Sequence, residues 1–380
     1  MSQMKKFDIG VLGLGATGSA ATFAIATRGA RVVAFDQYRP PHARGSTHGH
    51  TRIIREAYYE HPLYVPLVQR ALRLWKDLAA STGTPLLLQT GGLMVGRERG
   101  PIVSGARESA ERHGIAHEML DAAALASRFP AYRARTDWVA LLERRAGLLF
   151  PERCIEAFHA QARRLGATLQ LGERVESWSR NSDGITLRTD RTSYMVGRLV
   201  VAAGPWLPEL SDSLGVPLPL EIERQLSHWF RPSGDAAPYS AERCPIALWE
   251  TGDDGELFAT IPDEGHGVKC GMHHAGQPAS PRDVDRLVSD AENEAARQLL
   301  EQVMPGAGGP LLESRVCLYT NTPDRHFVID WCAGGNVLLL SPCSGHGFKF
   351  ASAIGEVAAQ LLLDGRSWID LEPFSLSRFR

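Results

Sequence analysis

The stretch from Phe7 to Asp36 constrains the fold more than any other part of the chain. Phe7-Asp8-Ile9-Gly10-Val11-Leu12 reads as a short buried strand, and Gly13-Leu14-Gly15-Ala16-Thr17-Gly18 follows it as a G-x-G-x-x-G turn. The small-residue run from Ser19 to about Arg28 reads as a helix closed by Gly29, and Ala30 to Phe35 reads as a second strand ending at Asp36. Strand, glycine turn, helix, strand and acid, in that order, form the dinucleotide fingerprint. Gly13 permits the tight turn, Gly15 lets backbone approach a pyrophosphate, and Gly18 lets helix and strand pack closely. The helix N-terminus offers free N–H groups to the phosphates. Asp36, about 18 residues past Gly18, is placed to accept from ribose hydroxyls, which disfavours a 2′-phosphate and leaves NAD or FAD. A purely structural glycine turn is the ordinary alternative, and it does not account for the acid at the end of the second strand.

Length and composition narrow the rest. A chain of 380 residues holds two to three domains. With 44% hydrophobic and 22% charged residues it is an ordinary globular protein, neither disordered nor collagen-like. A net charge of −2 provides no overall basic field for nucleic acid or an anionic membrane, so neither partner is expected. Six scattered cysteines with no C-x-x-C pair predict no metal site and a reduced, cytoplasmic protein. The uncharged stretch from Ile9 to Thr27, behind Lys5 and Lys6, has the outline of a signal peptide. Gly10, Gly13, Gly15 and Gly18 weaken such a helix, and export is not expected. No internal repeat or low-complexity linker is present.

Two distant segments return to the same chemistry. Arg198-Leu199-Val200-Val201-Ala202-Ala203-Gly204 reads as a buried strand ending in Ala-Gly, after strands near 167–171 and 184–187. Flavoproteins with two dinucleotide folds return to their cofactor through such segments, which makes the nucleotide domain discontinuous, puts Gly204 at the cofactor and favours FAD over NAD. Near the C-terminus the strand Asn336 to Ser341 runs into Ser344-Gly345-His346-Gly347-Phe348-Lys349, and a helix follows from Phe350 to Leu363 with Ala353, Val357, Ala358 and Leu361 at 3–4 spacing. A helix N-terminus behind Gly345, His346 and Gly347 suits an electron-rich flavin ring. His346 alone reads equally well as a hydrogen-bonded structural histidine. Lys349 opposes the helix dipole, which points to an anionic partner such as a substrate carboxylate.

The segment Pro40-Pro41-His42-Ala43-Arg44-Gly45-Ser46-Thr47-His48-Gly49-His50-Thr51-Arg52-Ile53-Ile54-Arg55, taken with Ser344 to Lys349 and with Arg315-Val316-Cys317-Leu318-Tyr319-Thr320, resembles the monomeric sarcosine oxidase and N-methyltryptophan oxidase family. The resemblance runs from Asp8 to the terminal Phe374-Ser375-Leu376-Ser377-Arg378-Phe379. It implies a D-amino-acid-oxidase-like flavin amine oxidase that acts on secondary amino acids. It implies FAD bonded covalently through Cys317, with Ser46, Thr51 and Val175 among its contacts. Arg55 and Lys349 resemble the pair that holds the substrate carboxylate, and His48 and Arg52 resemble residues packed by the flavin ring. Lys269 resembles the lysine that activates oxygen, and His273 the substrate-side histidine. The residue types suit these roles. Arginine forks onto carboxylates, lysine acts as a point charge, and a fixed cation in a dry pocket stabilises charge developing on oxygen. Without the resemblance, Arg52 and Arg55 would read as a solvated pair on one helix face, and Cys317 as an inert buried thiol.

The chain also departs from that family. Relatives carry Tyr-Tyr-Gly-Phe-Pro before the oxygen lysine, whereas this chain has Leu257-Phe258-Ala259-Thr260-Ile261-Pro262. A tyrosine hydroxyl is missing there, so Phe258 and Ala259 are expected to line a drier or reshaped substrate pocket. Pro342-Cys343 is a second departure.

The expected architecture is α/β, with an FAD-binding Rossmann-type domain of two-dinucleotide-fold type beside a mixed-sheet α+β substrate domain. The FAD domain takes 1–85, 150–215 and 312–380, and the substrate domain takes 86–149 and 216–311. Within the latter, Gly91 to Val95 and Ile246 to Glu250 read as strands and Val284 to Val303 as a helix. The expected reaction passes a hydride equivalent from a secondary amino acid, N-methyl or cyclic, to flavin and then to O2. It yields H2O2 and an imine that hydrolyses, with formaldehyde leaving from an N-methyl group. The alternative is a dehydrogenase of the same fold with another acceptor, against which Lys269 argues. A monomer is expected.

Overall fold

The computed structural model describes residues 5–252, 256–332 and 334–380. Its opening unit is the strand Lys5–Leu12, the helix Ala16–Thr27 and the strand Val32–Asp36. The helix starts three residues earlier than its small-residue run suggests, directly against the glycine turn. Lys5–Leu12 lies parallel to Val32–Asp36 on one side and to Ser193–Val201 on the other. Val32–Asp36 pairs in turn with Thr168–Leu171, and the end of Ser193–Val201 with Val337–Ser341, both in parallel. The antiparallel strands Val175–Asn181, Gly184–Thr189 and Val328–Trp331 complete an eight-stranded sheet. Ligands in such sheets bind outside the carboxyl ends of the parallel strands. Here those ends are Leu12, Asp36, Val201 and Ser341.

The Ala16–Thr27 helix is apolar nearly all round because it is covered on several sides. It packs between this sheet and the helices Pro151–Arg164 and Ala351–Asp364. Small residues make the approach possible. A Cβ on Gly355 would come 2.6 Å from the Ala20 backbone, and one on Gly18 would come 1.8 Å from the Gly13 carbonyl oxygen. Gly13 itself has φ +92. Among the described residues, no helix is long and apolar enough to cross a membrane.

A second, nine-stranded sheet carries Gly92–Gly96, His117–Asp121, Val139–Glu143, Glu221–Phe230, Ile246–Glu250, Leu257–Ile261, Val268–His273 and Gln277–Pro278, with Leu311–Asn321 along Glu221–Phe230. It is mixed: Ile246–Glu250 runs parallel to Gly92–Gly96, and the other pairings are antiparallel. Leu311–Asn321, which carries Cys317, hydrogen-bonds into this sheet rather than the eight-stranded one. A small three-stranded sheet joins Arg52–Ile54, Gly147–Leu149 and Leu87–Leu88. The helix expected over Val284 to Val303 is shorter, Asp290–Val303. Ser289 and Glu292 form a capping box that fixes its start, and the S-x-x-E signal stands in the sequence.

Two glycines of the turn separate fold from ligand. Nothing crowds a Cβ on Gly15 except Thr47 Oγ1 at 3.6 Å. Gly15→Ala is therefore expected to leave the melting temperature unchanged while abolishing dinucleotide retention. Gly18→Ala should destabilise the fold by ~1–3 kcal/mol, the usual range for overpacking. Melting curves and bound-cofactor absorbance of both variants decide it, and equal stability of the two would refute the division of roles.

Candidate active site

A cavity of about 810 Å³ opens at the carboxyl ends of the parallel strands and is walled on its other side by the nine-stranded sheet. That volume falls among cofactor and small-molecule sites. Gly13, Gly15, Asp36, Val175 and Gly204 line it from the eight-stranded sheet and its turns. Gly18 does not; it is packed against Gly13 and shapes the turn from behind.

This part of the cavity is built to accept an anionic, polar ligand. The Ala16–Thr27 helix begins at Gly15 with no side-chain cap and no acid in its first turn. Among the described residues, only a long contact from Ala16 N–H to Thr47 Oγ1, 3.4 Å, reaches one of its first donors. Asp36 accepts from the Leu14 and Tyr38 N–H groups, each at 2.8 Å, which ties the turn to the second strand. A carboxylate has further acceptor positions, so the anchored Asp36 can still receive hydroxyls. Thr51 lines the same space, and among the described residues its buried hydroxyl has no partner.

Ser46, Thr51 and Arg52 line the cavity from the loop after the second strand, and Lys269 and Cys317 line it from the nine-stranded sheet. Arg52 and Arg55 do not share a helix face. Arg52–Ile54 is a strand, and the two guanidinium groups make separate contacts. Arg52 donates to the Thr51 and Ser46 carbonyls at 2.9 and 3.0 Å, and the Cys317 sulfur lies 3.7 Å from it. The ammonium of Lys269 is buried, donates to the Gly49 and Thr51 carbonyls at 2.9 and 2.8 Å, and stands 5.0 Å over the Trp229 ring. Burial, and then Arg52, push its pKa well below the usual lysine value.

His48, expected against the flavin ring, does not line the cavity. Gly49 and His50, at φ +97 and +63, turn the chain so that its neighbours Ser46, Thr47, Thr51 and Arg52 face inward while its ring is buried. Among the described residues both ring nitrogens lack a partner, and burial beside Arg52, Arg315 and Lys269 pushes the ring down to about 3, so it is neutral.

Arg55 and Lys349 reach the cavity as buried cations. Arg55 lies between the Tyr58 and Tyr59 rings, 4.3 and 4.6 Å from their centroids. It donates to both Glu60 oxygens at 2.7 and 2.6 Å and to the Ala57 carbonyl at 3.1 Å. Burial alone would lower its pKa, but Glu60 outweighs this and holds it above the ordinary value. Lys349 donates to the His346 carbonyl at 2.8 Å and reaches the Tyr58 hydroxyl at 3.4 Å. Burial, and next Arg55, lower its pKa to about 7. The Tyr58 hydroxyl lies 2.6 Å from His346 Nδ1, and His346 Nε2 lies 3.1 Å from the Arg325 carbonyl. The ring therefore carries its proton on Nε2 and accepts from Tyr58, and burial keeps it neutral with a pKa of about 3. Gly345 and Gly347 complete this wall. A Cβ on Gly345 would meet the Tyr319 and His273 rings at 2.6 and 2.8 Å.

His273 lines the cavity with Nδ1 3.0 Å from the Tyr319 hydroxyl, and burial lowers its pKa well below the usual value. Ala259 also lines the cavity, but Phe258 does not. Side chains alternate along Leu257–Ile261, so Leu257, Ala259 and Ile261 face the cavity while Phe258 is fully buried in the core behind the sheet. Nor is the pocket without hydroxyls, because Tyr59 and Tyr319 supply them from other segments. Tyr58, Tyr59 and Glu60 follow soon after Arg55 in the chain, and their clustering of rings and acid after an arginine was the signal by which they could be found.

A family model described as FAD dependent oxidoreductase matches residues 8–361. A monomeric sarcosine oxidase from Streptomyces avermitilis is 39% identical, over 94% of this chain and 94% of its own. An N-methyl-L-tryptophan oxidase from Salmonella dublin is 34% identical, over 98% and 99%. The solved structure of L-proline dehydrogenase from P. horikoshii, 20% identical, superposes with a TM-score of 0.86 over 99% of this chain and 98% of that one.

The Arg55–Glu60–Lys349 group carries one net positive charge only while Lys349 is protonated. With a pKa of about 7 in the free site, Lys349 loses its proton as pH rises through neutrality. A small carboxylate such as acetate, titrated against the visible spectrum of the FAD-loaded protein, should bind more weakly above pH ~7, by roughly tenfold per pH unit while only the complex retains the proton. Affinity independent of pH between 6 and 9 would show that Lys349 does not hold the anion.

Proposed function

The chain belongs to the FAD-dependent oxidoreductase family and is a flavin amine oxidase, and we propose that its substrate is a secondary amino acid, N-methylated or cyclic, with a side chain larger than that of sarcosine. The observation that carries this reading is the buried Arg55–Lys349 pair opening into the cavity that begins at the dinucleotide turn. Two cations in a water-poor wall call for an anionic group on the substrate. Leu257, Ala259, Ile261 and Met272 form an apolar wall, and the small Ala259 leaves room beside it.

The helix start at Gly15, the anchored Asp36, the free Thr51 hydroxyl and Gly204 fit the dinucleotide part of FAD, and the Gly345–Gly347 turn fits its ring. Bound FAD supplies the two-electron acceptor and the route from it to O2. Arg55 and Lys349 hold the substrate carboxylate and thereby fix the reacting C–H and N–H, a restriction that itself supplies much of a rate. His273 and Tyr319, neutral and hydrogen-bonded to each other, border the amine. Lys269 is anchored by two carbonyls and presents its charge where oxygen is reduced. Arg52, 3.7 Å from the Cys317 sulfur, would stand beside the flavin ring. Per turnover the amine gives up one C–H and one N–H hydrogen with two electrons, O2 takes them as H2O2, and water hydrolyses the imine. Residues 1–85, 150–215 and 312–380 form the FAD domain in this reading, and 86–149 and 216–311 the substrate domain; the strand Leu311–Asn321 straddles the last boundary and pairs with the nine-stranded sheet. The six free cysteines accord with a cytoplasmic protein, which we take to act as a monomer.

The deciding experiment is aerobic peroxide release across a panel of N-alkyl and cyclic amino acids with their methyl esters. Each charge-assisted contact to the carboxylate is worth roughly 1.5–3 kcal/mol, so the ester should lose on the order of 100-fold in kcat/KM. An ester as good as the acid removes the carboxylate clamp, and sarcosine as the best substrate removes the enlarged pocket.

Two further outcomes follow from individual side chains. Cys317 lines the cavity beside Arg52 and is proposed to bond the FAD 8α-methyl carbon. Acid-precipitated protein should stay yellow, and Cys317→Ser should release its flavin to the supernatant; retained colour in the variant would refute the link. Lys269→Met should slow the oxygen half-reaction far more than the substrate half-reaction in stopped-flow traces. Equal slowing of both would remove the oxygen role.

A further inference from the structure

The cations that hold the carboxylate are carried partly by a segment with no regular structure. Residues 55–60 form neither helix nor strand and lie almost wholly inside the protein. Buried irregular backbone needs partners for its N–H and C=O groups. Three of those groups are met from a different part of the chain, by Ser109 and Glu143. Glu143, at the end of the strand Val139–Glu143, is fully buried, and its carboxylate accepts from the Ala57 N–H at 2.8 Å and from the Glu56 N–H at 2.9 and 3.0 Å. The Ser109 hydroxyl donates to the Tyr58 carbonyl at 2.6 Å. Gly105 leaves room for the Tyr59 carbonyl, which a Cβ there would approach to 2.4 Å.

Glu143 is a costly choice for this place. It ends a strand of apolar residues, and among the described residues no cation forms a salt bridge with it. Burial raises its pKa to about 7, against the Ala57 and Glu56 N–H groups and the Arg55 charge, which lower it. An apolar residue would serve packing better. What Glu143 does hold is Ala57, and Ala57 is gripped from both sides: its N–H by Glu143 and its C=O by the Arg55 guanidinium at 3.1 Å.

We propose that Glu143 is a positioning residue of the carboxylate site, which fixes Ala57 and through it the place of the Arg55 guanidinium, and so sets the preference for a carboxylate-bearing substrate. The inference rests on reading Arg55 and Lys349 as the carboxylate holders. Glutamine at 143 has the same shape but only one acceptor oxygen, and its NH2 would face a backbone N–H. The segment would relax without emptying the core.

The test uses the FAD-loaded enzyme and the acid-to-ester ratio of kcat/KM for the best panel substrate. In Glu143→Gln that ratio should fall roughly tenfold, the effect of one weakened charge-assisted contact, through a higher KM for the acid. Ester turnover and flavin content should stay at the wild-type level. Ser109→Ala, which loosens the same segment at Tyr58, should shift the ratio in the same direction by less. Glu250→Gln, a buried carboxylate two strands away that bonds Arg97 instead, should leave it unchanged. If Glu143→Gln does not fold, Glu143→Asp and Ser109→Ala carry the same reading. An unchanged ratio in a folded variant overturns the inference, as does an equal loss on acid and ester or an equal shift in Glu250→Gln. A wild type that prefers the acid while the variants keep that preference overturns the inference alone. A wild type indifferent to the ester overturns the carboxylate reading and the inference with it.

Discussion

Buried positive charge is the constraint around which this molecule is arranged. Arg52, Arg55, Lys269 and Lys349 all face one cavity, and an uncompensated ion away from water is several kcal/mol out of balance. Glu60 compensates one of them directly. Backbone carbonyls do much of the remaining work: Ser46, Gly49 and Thr51 for Arg52 and Lys269, Ala57 for Arg55, and His346 for Lys349. Two loops, 46–57 and 344–349, are therefore shaped by cations as much as by their own sequence. Carbonyl dipoles cannot neutralise a charge, and the remainder is what makes the site receptive to anions.

Those loops hold their shape because regular structure clamps their ends. The first leaves the second strand at Asp36, passes through the short strand Arg52–Ile54 and ends at the helix Val65–Thr82. The second is set between the strand Val337–Ser341 and the helix Ala351–Asp364. The helices pack with the Ala16–Thr27 helix in one core, while the nine-stranded sheet has a separate core behind it. The site lies between these two bodies of packed side chains. Each supplies cations to it: Arg52, Arg55 and Lys349 from the first side, Lys269 from the second. In the proposed reading, carboxylate holding and oxygen reduction are thus mounted on different elements, and a substitution that disturbs one need not disturb the other.

Local pattern carries much of this in readable form. The dinucleotide turn is set by close backbone approach, local at Gly18 and from the distant Ala202 at Gly13: no residue but glycine fits where a Cβ would meet either backbone. The strand into Ser344–Lys349 and the helix after it are legible for the same reason, through apolar spacing and a glycine-rich start. The helix near 290 is shorter than the Val284 to Val303 span read from the sequence, because its capping box, Ser289 with Glu292, fixes the start.

By itself the sequence determined the dinucleotide turn and which residues are chemically equipped to act, with Lys349 set against a helix dipole as the one hint of an anionic partner. Tertiary structure decided which of them meet. Phe258 turned to the core and Ala259 to the cavity because a strand alternates its faces, and neither residue type could announce which face was which. His48 went behind the cavity because Gly49 and His50 reverse the backbone. The tyrosine hydroxyls arrived from segments 59 and 319, far apart in the chain, and Glu143 came to hold Ala57 across a separation of 86 residues. Sequence spacing encodes conformation over a few residues; contact over many is set by how sheets and helices close on one another, and it is only there that Arg55 acquires its partners.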